Sequence, residues 1–83
     1  MNELELANYL FSLDLHTKSY ASEYGCLYIV AANSIAEAQE LATKHYIGGV
    51  ARGEPRDIGF GESRPIGIPM PGTTPGIVSH FIT

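Results

Sequence analysis

Eight of the nine glycines and all five prolines of this 83-residue chain fall between positions 48 and 76, in "GGVARGEPRDIGFGESRPIGIPMPGTTPG". Proline fixes its own φ and removes a backbone donor, so Pro55, Pro65, Pro69, Pro71 and Pro75 exclude any long helix from a third of the chain. Disorder is disfavoured as well. Disordered runs are poor in large apolar residues, whereas Ile58, Phe60, Ile66, Ile68 and Met70 punctuate this one. The expectation is an irregular arm over 48–76 that wraps the domain, with short extended pieces at "RDIGF" and "PIGIP".

Regular structure is then expected mainly outside the arm. In "YLFSLDLHT", Tyr9, Phe11, Leu13 and Leu15 alternate with Leu10, Ser12, Asp14 and His16, the period of a strand with one buried face. The polar stretch "KSYASEYG" reads as a turn. "CLYIVAA" is apolar on both faces and reads as a central strand covered at least in part on both sides. The two strands predict an antiparallel hairpin over 8–32. Ser34 followed by Glu37 is the spacing of a capping box, and it opens a helix over 34–46. Ile35, Ala38, Leu41, Ala42 and His45 share one stripe of that helix, and Gly48 or Gly49 is the expected stop. The final "GIVSHFIT" predicts a strand over 77–82, with Ile77, Ser79 and Phe81 alternating against Val78, His80 and Ile82. This strand pairs either with the hairpin or with a partner's sheet. The predicted fold class is α+β: one domain over 1–83, a small antiparallel sheet of hairpin plus C-terminal strand, one capped helix, and the Gly/Pro-rich arm.

A chain of this size buries only about 60–65% of the surface its unfolded form exposes. No internal disulfide adds to that, because Cys26 stands alone. In an apolar run, it is expected to act as a small buried hydrophobe in a reducing compartment, in preference to a reactive thiol. Residues 1–47 carry Lys18 and Lys44 against six acids, whereas Arg52, Arg56 and Arg64 balance Glu54, Asp57 and Glu62 in residues 48–83. With a net charge of −4 and no basic patch, direct nucleic-acid binding is not expected. Glu3 and Glu5 stand where a secretory signal would be basic, and no run approaches the roughly 20 apolar residues of a membrane span. The expectation is a cytoplasmic protein with no membrane association.

No motif announces a reaction. Ser12, Asp14 and His16 lie on one strand face, which favours an ordinary polar surface over a triad converging from different elements. The three histidines lack His-x₃₋₅-His spacing and the single cysteine has no second, so no metal site is expected. The glycines match neither a dinucleotide fingerprint nor a P-loop, and no cofactor is implied.

The strand "YLFSLDL", a turn, "LYIVAAN" running into "SIAEAQELATKH", and the late strand "GIVSHFI" resemble, at the level of class, small phage-encoded anti-defence proteins, several anti-CRISPR inhibitors among them. The likeness covers roughly residues 9–47 and carries over no functional residue. It implies a compact non-enzymatic protein that blocks a host component, in the host cytoplasm.

The expected function is a non-enzymatic inhibitor or adaptor that docks on a larger protein or protein complex. Its expected contact residues are Arg52, Arg56, Asp57, Phe60, Glu62 and Arg64 of the arm, with Tyr20 and Tyr24 of the turn as aromatic anchors. The alternative is an oligomeric small-ligand-binding protein whose arginine-bearing loops close over an anionic metabolite. A third and weaker reading is an enzyme using His16 or His80.

Overall fold

A computed structural model describes residues 5–17, 25–50 and 58–82. It contains strands β1 (Tyr9–Thr17) and β2 (Gly25–Ala32), helix α1 (Ile35–His45) ending in a π-helical turn (Tyr46–Val50), and strands β3 (Ile58–Gly67) and β4 (Gly76–Ile82). The strands form one antiparallel sheet in the order β3-β1-β2-β4, with α1 on one face.

The predicted hairpin is the centre of the sheet. Its register sets Phe11 against Val30, Leu13 against Tyr28 and Leu15 against Cys26. Strand alternation puts all six on the helix side, where each is at most 5% exposed. Ala38 and Ala42 of α1 are fully buried against them. A methyl side chain lets a helix backbone lie close to a sheet, so the alanine stripe sets the distance between the two layers. Ile35, at the start of the stripe, is 38% exposed.

At the helix start, Ser34 Oγ accepts from the Glu37 N–H at 3.0 Å, as predicted. The reciprocal arm differs: the Glu37 carboxylate accepts from the Asn33 N–H at 2.8 Å, one residue before the cap. Asn33 in turn organises the chain's start. Its side chain accepts from the Asn8 N–H at 2.7 Å and donates to the Leu6 carbonyl at 3.0 Å. The helix does not stop on a left-handed glycine. The Tyr46 N–H donates to the carbonyls of Ala42 and Thr43, and the chain continues as a π-helical turn over Tyr46–Val50.

The Gly/Pro-rich segment holds more regular structure than its composition suggests. Residues 58–60 and 65–67 of the two expected extended pieces belong to one ten-residue strand, β3, paired with β1. Proline is tolerated there because β3 is an edge strand, with a side that needs no donor. After Gly67 the chain crosses the end of the sheet to β4. Gly67, Leu10, Ala31 and Gly76 are consecutive partners, so the crossing spans three strand spacings, about 14 Å. A turn at Met70–Pro71–Gly72–Thr73 directs it: the Thr73 N–H donates to the Met70 carbonyl at 3.2 Å, and Gly72 has φ +88°. Proline then glycine with positive φ is the type II pattern. The connection is anchored where the Ala7 N–H donates to the Thr73 carbonyl at 2.9 Å.

Both edge strands are bulged. β3 carries extra residues at Gly61–Glu62 and at Ile66, and β4 carries one at Val78. Each bulge reverses which face the following residues take. On β4 the helix side therefore receives Ile77 and His80, opposite Val30 and Tyr28, while Ser79 and Phe81 face away, opposite Ile29 and Leu27. The unbroken alternation expected for 77–82 is replaced by this phase change. The strand itself completes the chain's own sheet.

Two substitutions test this packing. Ala42→Leu should cost about 1–3 kcal/mol by overfilling the gap between helix and sheet, read as a fall in the urea or thermal midpoint. Gly72→Ala should cost about 1–2 kcal/mol, because a Cβ is strained at positive φ even with open space around it.

Candidate functional site

Two features of the sheet stand out chemically, one on each face. Among the described residues, no element covers the face away from α1. Along β2 and β4 it presents Leu27, Val78 and Phe81, which are 37%, 55% and 57% exposed, with half-buried Ile29 between them. The crossing connection extends this surface with Ile68 and Met70, 76% and 80% exposed. Leu10, Ile68, Pro69, Met70, Thr73 and Val78 line a groove of about 350 Å³ where the connection curls over the sheet. The apolar stretch of β2 is therefore covered on its outer side only at Ala31; Leu27 and Ile29 are not sealed.

The other half of the same face is polar. Asp14 and His16 of β1 are exposed and Ser12 is half-buried. They follow one another along the strand and form no converging constellation. Arg64 lies opposite Ser12 and pairs with Glu62 at 3.4 Å, both well exposed. Gly61 lies close beside them: a Cβ there would come within 2.9 Å of Asp14 Oδ2, and the exposed carboxylate would have to swing aside.

This arrangement divides the contact residues expected from sequence. Arg64 and Glu62 are on the open face. Phe60, opposite Leu15, turns to the helix side and packs against the core. Four positions apart on an unbroken strand, Phe60 and Arg64 would share a face; the bulge at Gly61–Glu62 separates them. Phe60 instead helps line a groove of about 470 Å³ between α1 and β3, together with Ala36, Gln39, Thr43, Lys44 and Ile58. Gln39 Nε2 donates to Ser63 Oγ at 3.2 Å beneath it. Arg52, Arg56, Asp57, Tyr20 and Tyr24 lie outside the described residues; of the three arginines of the anion-holding alternative, only Arg64 is described, on β3.

The second feature sits under the last turn of α1. Tyr28, fully buried, places its hydroxyl 3.0 Å from His45 Nδ1. His80, across from Tyr28 on β4, stacks on the Tyr28 ring with centroids 5.6 Å apart. The two imidazoles stand 4.8 Å apart, tilted by 59°. His45 is half-buried and His80 exposed, so the cluster opens to solvent at the edge of the sheet. Sequence reading treats the three histidines as separate. Only the bulge at Val78 and the helix–sheet register bring two of them together, and no spacing rule encodes either.

Burial holds the acids beneath this cluster in their protonated forms. It pushes the Tyr28 phenol up from 10.0, with the neighbouring Cys26 adding to the shift, and it pushes the Cys26 thiol up from 9.0 against the opposing hydrogen bonds from Tyr28 and the Phe81 backbone. Cys26 is 1% exposed and is a packing residue, consistent with its expected role as a buried hydrophobe. Among the described residues no helix is long and apolar enough to cross a membrane. No protein-family model, curated protein or solved structure matches the chain.

The raised phenol and thiol make an alkaline prediction. The unfolded chain releases these protons first, so above pH 9 it binds fewer of them than the native state does. The stability contribution is fully present below that point and declines as pH rises through 9 and 10. Urea midpoints should fall over this window, and Tyr28→Phe should fall less steeply after losing about 1 kcal/mol of hydrogen bonding at neutral pH. Equal slopes for the two proteins would contradict the assignment.

Proposed function

We propose that this chain is a non-enzymatic binding protein that docks on a larger protein through the open face of its sheet. The carrying observation is the continuous apolar strip of Leu27, Phe81, Val78, Ile68 and Met70 on an otherwise well-packed small domain. Together these side chains expose on the order of 500 Å² of apolar surface, at the upper end of what a monomer leaves in one patch. One side of a standard interface buries about 800 Å², a little over half of it apolar, so the strip is the right size for a complete contact.

Charge favours a different protein over a second copy. The chain carries a net −4, so self-association brings like charge together, while a partner with a basic rim gains from it. Asp14, Glu62 and Arg64 border the strip and supply directional contacts at its edge. The residues on β1 and β3 thus keep part of the role expected for the arm, while the adhesive centre moves to β2, β4 and the crossing connection. The resemblance to small anti-defence proteins supports a blocking or sequestering role.

Val78→Asp and Phe81→Asp alter exposed positions and should leave the fold intact by circular dichroism. The expected outcome is a single stoichiometric partner that cross-links to Met70, Val78 or Phe81 and binds each variant at least about thirtyfold more weakly. Lys44→Ala, on the exposed side of α1, should bind as the wild type does. Capture insensitive to both aspartate variants overturns the reading. So does a stable homodimer, measured by sedimentation, that the same variants dissociate.

A further inference from the structure

We propose that His45 and His80 form a binding site for a divalent late transition metal of the zinc, nickel and copper class, bridging the end of α1 to the edge strand β4. The inference is independent of the docking surface, which lies on the opposite face of the sheet.

The geometry carries it. Imidazoles bound to one metal at about 2.0–2.1 Å, at roughly 90–110° to each other, hold their ring centroids about 4.5–5.2 Å apart. His45 and His80 stand at 4.8 Å. Their rings are fixed from behind by one side chain. Tyr28 is edge-on to His45 and stacked on His80, each at 5.6 Å. The Tyr28 hydroxyl occupies His45 Nδ1 and leaves Nε2 as the nitrogen free to ligate. A ligating imidazole usually hydrogen-bonds through its other nitrogen, which sets its tautomer and its aim. The Tyr28 hydroxyl, 3.0 Å from Nδ1, is placed for that role, accepting from Nδ1–H when the metal is bound.

The surroundings suit a cation. His80 is exposed, so water completes the coordination shell. Cys26 is 1% exposed within the core, which leaves the imidazoles as the protein's ligands, and imidazole nitrogen suits zinc, nickel and copper. Once bound, the metal ties the helix end to a strand that otherwise meets the sheet along one side only.

The test uses the full untagged chain, stripped by chelator and titrated at neutral pH with zinc alone and with copper alone. Calorimetry should give one metal per chain. Each tenfold rise in free zinc above saturation should raise the thermal midpoint by about 6–11 °C. His80→Ala and His80→Phe should both weaken binding at least about tenfold; the phenylalanine keeps an aromatic against Tyr28, so a loss shared by both reports ligation, not packing. His16→Ala, which removes an exposed histidine on the other face, should bind as wild type does. The proposal fails if the wild type takes up no metal at about 1 mM, if His80→Phe binds normally, or if His16→Ala loses as much affinity as the His80 variants.

Discussion

The antiparallel register of β1 with β2 is the constraint on which everything else in this molecule depends. It stacks Phe11, Leu13 and Leu15 beside Val30, Tyr28 and Cys26 and so defines the one sealed face of the sheet. A slip of one residue would turn Leu10, Ser12, Asp14 and His16 toward α1 and expose the core, so the register is fixed by the apolar pattern itself. The helix adds little bulk. Its two alanines lower it onto the hairpin, and Tyr46 and Leu41 close the margin. Among the described residues, the one helix covers one face and leaves most of the other uncovered.

The hairpin, the helix start and the sealed face were legible in the sequence because each rests on local chemistry: alternation in "YLFSLDLHT", capping residues at Ser34 and Glu37, small residues at helical spacing. The edges were not. Glycine and proline in "DIGFGESRPIGIP" argue against a strand when propensity is judged residue by residue. On an edge their costs are small: Pro65 needs no outer partner, and Gly61 accommodates Asp14. What decided the outcome was long-range pairing with β1, which supplies a ladder that local propensity cannot anticipate.

The same reasoning explains what was missed at the functional surfaces. Phe60 and Arg64 belong together by alternation and end on opposite faces; Ile77 and His80 belong apart and end on the same one. In each case a single inserted residue changes the phase of a strand after a point that composition does not mark. The tyrosine–histidine cluster and the apolar strip are thus two products of one event, the bulge at Val78. It turns His80 inward to meet His45 and turns Phe81 outward to meet solvent.

The irregular margins also govern how the molecule behaves when concentrated. A sheet with an uncovered greasy side and straight borders would be expected to grow into fibrils, each copy extending the ladder of the last. Here a proline and two interruptions break one border and a third interruption breaks the other. Lengthening by lateral stacking of strands is thereby frustrated at both ends. The stickiness of the surface is channelled into finite, face-on encounters, so the domain can keep an adhesive flank without becoming the seed of a polymer.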